Sequence, residues 1–139
     1  MATGSASAEF AVSLPFGPEA ARVARTMVGR LLVDHHCDDQ LVEDGRLVTH
    51  ELVMNGVRHG RPDAHEEIAV ACRLLAAHVV ISVLDQGRDG TVAVRPRSGS
   101  RIDGRGLAIV EALSERWSVD RSGGTRVEAW LARGAQASS

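Results

Sequence analysis

The sequence predicts an α+β fold: a two-layer sandwich in which a mixed, mostly antiparallel sheet carries helices on one face. Three observations predict it. Apolar residues alternate near the start, and two long segments then repeat at helical spacing. The chain closes on two short strand-like runs around a Gly123-Gly124 turn.

Phe10, Val12, Leu14 and Phe16 alternate with smaller or polar neighbours, the pattern of a half-buried first strand. Pro18 suits the first position of a helix, and Val23, Met27, Leu31 and Leu32 give Ala20 to His35 one apolar stripe. Asp38 and Asp39 can cap a second helix that runs to about His59, with Gly60-Arg61-Pro62 ending it. Strand-like segments follow at Glu67 to Cys72 and His78 to Leu84. Residues 86–103 are rich in Gly, Arg, Ser and Pro, and a loop of that length inside a domain is usually functional. Leu107 to Trp117 is expected to form a third helix, preceded by Gly104-Arg105-Gly106. The hairpin pairs Ser118 to Arg121 with Arg126 to Leu131. One domain is expected over 9–132, with flexible termini at 1–8 and 133–139.

Composition narrows the chemistry. The 139 residues carry a net charge of -2, without the basic stripe of a nucleic-acid binder. All 16 basic residues are arginine. The absence of lysine excludes a Walker-A phosphate loop, Schiff-base chemistry and Ser-Lys dyads, and the absence of tyrosine excludes a tyrosyl nucleophile. Cys37 and Cys72 are far apart with no CxxC, and are expected to be buried thiols in a reduced compartment. No signal-peptide pattern opens the chain, and its longest apolar run, Leu74 to Leu84, is far short of the roughly 20 residues of a membrane span. The expected location is the cytoplasm.

Four stretches carry chemistry. In Thr49 to Gly60, Glu51, Asn55 and Arg58 fall on one helical stripe beside an apolar one. A carboxylate, an amide and a guanidinium so placed suit a magnesium-nucleotide site, because magnesium needs few protein ligands and a carboxylate can take a hydroxyl proton. A solvated helix face would share this spacing. Asp85 ends an apolar strand before Gly87, which sets one acceptor at the mouth of a pocket able to read the amino group of adenine. It equally begins an ordinary Asp-rich turn. Gly104-Arg105-Gly106-Leu107 opens a helix, where bare backbone N–H groups can approach phosphate, although most such glycine pairs are turns. Gly123-Gly124-Thr125 is a hairpin turn that also brings a hydroxyl toward Asp85.

Together and in this order, the four stretches resemble the GHKL (histidine-kinase-like) ATPase superfamily. Glu51 to Gly60 looks like its N box, Asp85 to Gly90 and Gly104 to Leu107 its two glycine boxes, and Gly123 to Thr125 its closing element. Within it the chain is most similar to the single-domain bacterial anti-sigma factor serine/threonine kinases. The resemblance implies ATP and Mg2+ as cofactors, Glu51 as general base and Asn55 as the magnesium ligand. It implies that Asp85 reads adenine beside Gly87, and that Thr125 makes a second contact there. Gly104, Arg105, Gly106 and Leu107 would border the phosphates with Arg58 nearby, and the loop over 86–103 would be a lid. It also implies three partners: a sigma factor, a STAS-type anti-sigma factor antagonist that is phosphorylated, and a second copy of the chain in a homodimer. No direct contact with nucleic acid or membrane is expected. The alternative is a non-catalytic ATP-binding regulatory module acting stoichiometrically on a protein partner.

Overall fold

The computed structural model describes residues 5–87 and 101–134, the latter without the side chains of 101–106. The elements in order are β1 (Ala8–Pro15), α1 (Pro18–Asp34), α2 (Asp39–His59), β2 (Glu67–Leu74), β3 (His78–Asp85), α3 (Arg101–Leu113), β4 (Arg116–Asp120) and β5 (Thr125–Ala132). The strands form one sheet in the order β1-β2-β3-β5-β4.

Local chemistry explains the elements. Pro18 occupies the first turn of α1 as expected, and the Asp38 side chain accepts from the Leu41 N–H at 2.8 Å to cap α2. Along β2 the residues alternate, Ile68, Val70, Cys72 and Leu74 being buried and their neighbours only half so. The buried set faces α1 and α2, whose inner stripes include Val28, Leu32, Val48 and Leu52, and Val110 of α3 joins the same core. Strand β3, central in the sheet, is buried almost throughout. Burial places the Cys37 thiol above its usual pKa and pushes that of Cys72 up to about 12, so both stay protonated thiols. No helix among the described residues is long and apolar enough to cross a membrane.

The structure corrects the sequence reading in four places. The sheet is antiparallel at every neighbouring pair rather than mixed: β3 and β4 run the same way, but the hairpin lays β5 between them. Helix α3 begins at Arg101, so Gly104-Arg105-Gly106 lie within it instead of preceding it. The same helix stops at Leu113, and Trp117 belongs to β4. There it pairs with Ala129 and packs against the core, and the Glu115 N–H to Trp130 carbonyl bond (2.7 Å) starts the strand. The termini are shorter than expected. The Ser7 N–H donates to the Leu74 carbonyl at 2.9 Å, and that of Arg133 donates to Ala77 at 2.9 Å.

Candidate functional site

The C-terminal end of α2, the end of β3 and the start of β5 converge. Asp85, the last residue of β3, is only 6% exposed. Its Oδ1 accepts from the Gly87 N–H at 2.6 Å and from the Arg61 N–H at 3.4 Å. Both bonds reach the same oxygen, which leaves Oδ2 available to another donor. Burial raises the Asp85 pKa, and the two N–H donors only partly offset that rise by stabilising the carboxylate.

The loop after α2 is tied to the segment after β3. The Gln86 N–H donates to the Arg61 carbonyl at 2.9 Å, while the Arg61 N–H faces Asp85. Gly60 makes this approach possible, since a Cβ there would overlap the Asp85 carboxylate. On the other flank Thr125 lies directly across from Asp85 in the β3–β5 register, and its hydroxyl donates to the Gly87 carbonyl at 2.6 Å. Gly124, just before it, has φ 109° and would bring a Cβ within 2.5 Å of the Asp85 carbonyl oxygen. A side chain is excluded there by both conformation and space.

Asn55 lies one helical turn before His59 and Gly60. It is 8% exposed, and its Oδ1 is buried with no hydrogen-bond partner among the described residues. Leaving a buried carbonyl unpaired costs about 1–3 kcal/mol. A hard cation such as magnesium takes an oxygen donor of this kind, so the residues present fit the metal. Glu51, a turn earlier, is half-buried and accepts no hydrogen bond from a described residue.

The structure therefore brings together Asp85, Gly87 and Thr125, with Asn55 and Glu51 along the helix that ends against them. Arg58 is exposed on the last turn of α2, where a cation complements the helix dipole. Leu107 is buried on α3. Gly104, Arg105 and Gly106 lie within the described span of α3, Arg101–Leu113. Of the loop expected over 86–103, residues 88–100 lie outside the described residues. Sequence reasoning had Gly56, Gly60 and Gly124 inside its motif-like stretches but gave them no role around Asp85, and it missed the Arg61 backbone. Gly60 was legible as a helix stop and as the end of the Glu51 to Gly60 stretch, and a Cβ at Gly56 would come within 2.9 Å of Ile68 Cδ1 and 3.6 Å of Asp85 Oδ2, which no local pattern announces.

No match was found among curated proteins. Among solved structures, the chain is similar to the RsbU and RsbW domains of Rv1364c from Mycobacterium tuberculosis. The TM-score is 0.69 and the identity 26%, covering 93% of this chain and 34% of that one. It thus spans about a third of that structure's length. It is also similar to the histidine kinase domain of a blue-light activated histidine kinase from Erythrobacter litoralis, with a TM-score of 0.48 and 23% identity over 70% of this chain and 48% of that one. The histidine kinase-like ATPase domain matches residues 14–131, and the chain belongs to that family.

Proposed function

We propose that the protein is an ATP-binding anti-sigma factor and a protein serine/threonine kinase, which phosphorylates an anti-sigma factor antagonist and sequesters a sigma factor. The observation that carries the reading is the pairing of an unpaired buried Asn55 carbonyl with the half-buried Glu51 one turn away, on a helix that ends against Asp85. The similarity to a structure containing an RsbW domain supports the choice of partners.

ATP supplies the phosphoryl group, and Mg2+ neutralises charge on its phosphates. Asp85 Oδ2 would accept from the amino group of adenine, with Gly60, Gly87 and Gly124 clearing space at its carboxyl and Thr125 fixing the Gly87 carbonyl. Asn55 Oδ1 would ligate magnesium. Gly104, Arg105, Gly106 and Leu107 would border the phosphates from α3, with Arg58 available at the end of α2. Glu51 would orient the hydroxyl of an acceptor serine or threonine and take its proton as the oxygen bonds to the terminal phosphorus and ADP leaves. The added charge on the acceptor would then weaken its docking.

The test is phosphoryl transfer from labelled ATP to candidate antagonists by wild type and Glu51→Gln. Transfer is expected to fall at least to about a hundredth while ATP affinity holds, the scale of a lost general base. Transfer at the wild-type rate in Glu51→Gln would overturn the base assignment. The same assay separates a stoichiometric module, which binds ATP and labels nothing.

A further inference from the structure

The helices pack on one face of the sheet, and among the described residues no element covers the other. Residues directly opposite on neighbouring strands share a face, so the register orders this open face as a grid. Across β1-β2-β3-β5-β4, one row reads Glu9, Arg73, Val80, Trp130 and Arg116. The next reads Ala11, Ala71, Ser82, Glu128 and Ser118. The third reads Ser13, Ala69, Leu84, Arg126 and Asp120.

Size divides the grid about its central strand. On the β1-β2 side, Ala11, Ser13, Ala69 and Ala71 line a depression of about 280 Å³. On the β5-β4 side stands a ridge. Its Trp130 ring lies 4.0 Å from the Arg116 guanidinium carbon, and the indole N–H donates to Glu128 at 3.2 Å.

A two-fold axis along β3, between two copies laid face to face, reverses each row against itself. β2 then faces β5 and β1 faces β4, so the ridge of each copy enters the depression of the other. Besides the His78–Glu115 pair, the face carries four carboxylates (Glu9, Glu67, Asp120 and Glu128) and three guanidiniums (Arg73, Arg116 and Arg126). It is close to neutral, and what matters is their arrangement. Glu9 falls directly opposite Arg116 of the second copy. Arg73 falls opposite Trp130 with Glu128 one row away, and Arg126 falls opposite Ala69 with Glu67 one row away. Asp120 meets Ser13 at the rim. His78 alone meets its own copy, and each is already paired with Glu115. An axis across the strands would instead set Glu128 on Glu128 and the depression on itself.

We infer that this open face is the contact between two copies of the chain, related by the two-fold axis along β3. The motif resemblance implies a second copy; size and sign on the grid assign the face it meets. Strands about 4.8 Å apart and rows about 7 Å apart give a footprint of roughly 500 Å² per copy. The pair then reaches the roughly 1,000 Å² of a specific interface, in the aligned geometry in which sheets pack face to face. None of these residues belongs to the nucleotide cradle, so the pairing stands apart from the kinase reading.

The experiment is sedimentation equilibrium of the full chain without nucleotide, beside thermal melts that report whether each variant is folded. Wild type is expected at twice the mass of one chain. Arg116→Glu sets a carboxylate against Glu9 twice per dimer and should raise the dimer Kd by about 10-fold or more. The exchanged pair, Glu9→Arg with Arg116→Glu, should restore it. These two residues lie on opposite edges of the sheet within one chain, so that rescue acts only between copies. Ala71→Glu fills the depression and faces Glu128, and should also give monomer. A wild type that stays monomeric at its highest soluble concentration overturns the inference. So does a dimer whose Kd ignores Arg116→Glu and Ala71→Glu, or one that Arg116→Glu weakens and the folded exchanged pair leaves weak.

Discussion

Asp85→Asn separates recognition from folding at one atom. Asp85 Oδ1 holds the Gly87 and Arg61 N–H groups, and an amide oxygen in that place keeps both bonds. The amide nitrogen must then replace Oδ2, and it turns a donor toward whatever donor Oδ2 would have met. If that group is the amino group of adenine, a hydrogen bond is lost and two donors face each other. The cost is about 1–3 kcal/mol, or roughly 5- to 150-fold in Kd. Guanine presents an acceptor at that position, so GTP should lose little or gain. Stability runs the other way. Burial raises the folded pKa of Asp85, so the folded protein holds this proton more tightly than the unfolded chain. The contribution of Asp85 is therefore greatest below the unfolded value near 3.8 and is lost as pH rises through the folded pKa. Asp85→Asn removes that loss, so its melting temperature at neutral pH should equal or exceed that of wild type. Titration calorimetry with ATP and GTP, beside thermal melts, measures both effects. An unchanged ATP Kd refutes the adenine role, and a large fall in melting temperature with binding intact would make Asp85 purely structural.

Three further outcomes are expected. Asn55→Ala removes an acceptor that is already unpaired, so unfolding free energy should change by less than about 1 kcal/mol. ATP affinity of that variant should become the same with magnesium as with EDTA; a surviving metal dependence counts against the ligand role. Gly60→Ala forces a methyl group into the Asp85 carboxylate, so denaturant titration should show a loss of about 1–3 kcal/mol together with weakened nucleotide binding. Asp63 and Asp120 have lowered pKa values because backbone N–H groups of Glu67 and Ser122, respectively, bond their carboxylates. Their contribution is present above about 3.8 and is lost as pH falls through their folded values, so the acid limb of stability should steepen there, and Asp63→Asn should flatten it in pH-dependent melts.

What could be read in the sequence, and what could not, divides along the range of the forces involved. The Asp38 cap, the Pro18 start and the alternation of β1 are decided by neighbours within four residues, and they were legible. Trp117 was not. An apolar residue there satisfies a helical stripe and a strand equally, and only pairing with Ala129 on β5 chooses the strand. Gly104 and Gly106 each cost a helix interior about 1 kcal/mol, so local reasoning makes them its boundary; the structure starts the helix three residues before Gly104. The candidate site follows the same division. Glu51 and Asn55 are a turn apart on one helix, a spacing that a solvated face shares, and only the resemblance of the four stretches together implied a base and a metal ligand there. The cradle depends on where α2 ends relative to β3. Gly60 and Asp85 are 25 positions apart, and neither shows locally that one must lose its side chain to make room for the other. The motif resemblance reached Asp85 only as a position in an ordered pattern. The tertiary contact supplies its physical cause: the same glycine that ends α2 clears the space in which the Asp85 carboxylate is held.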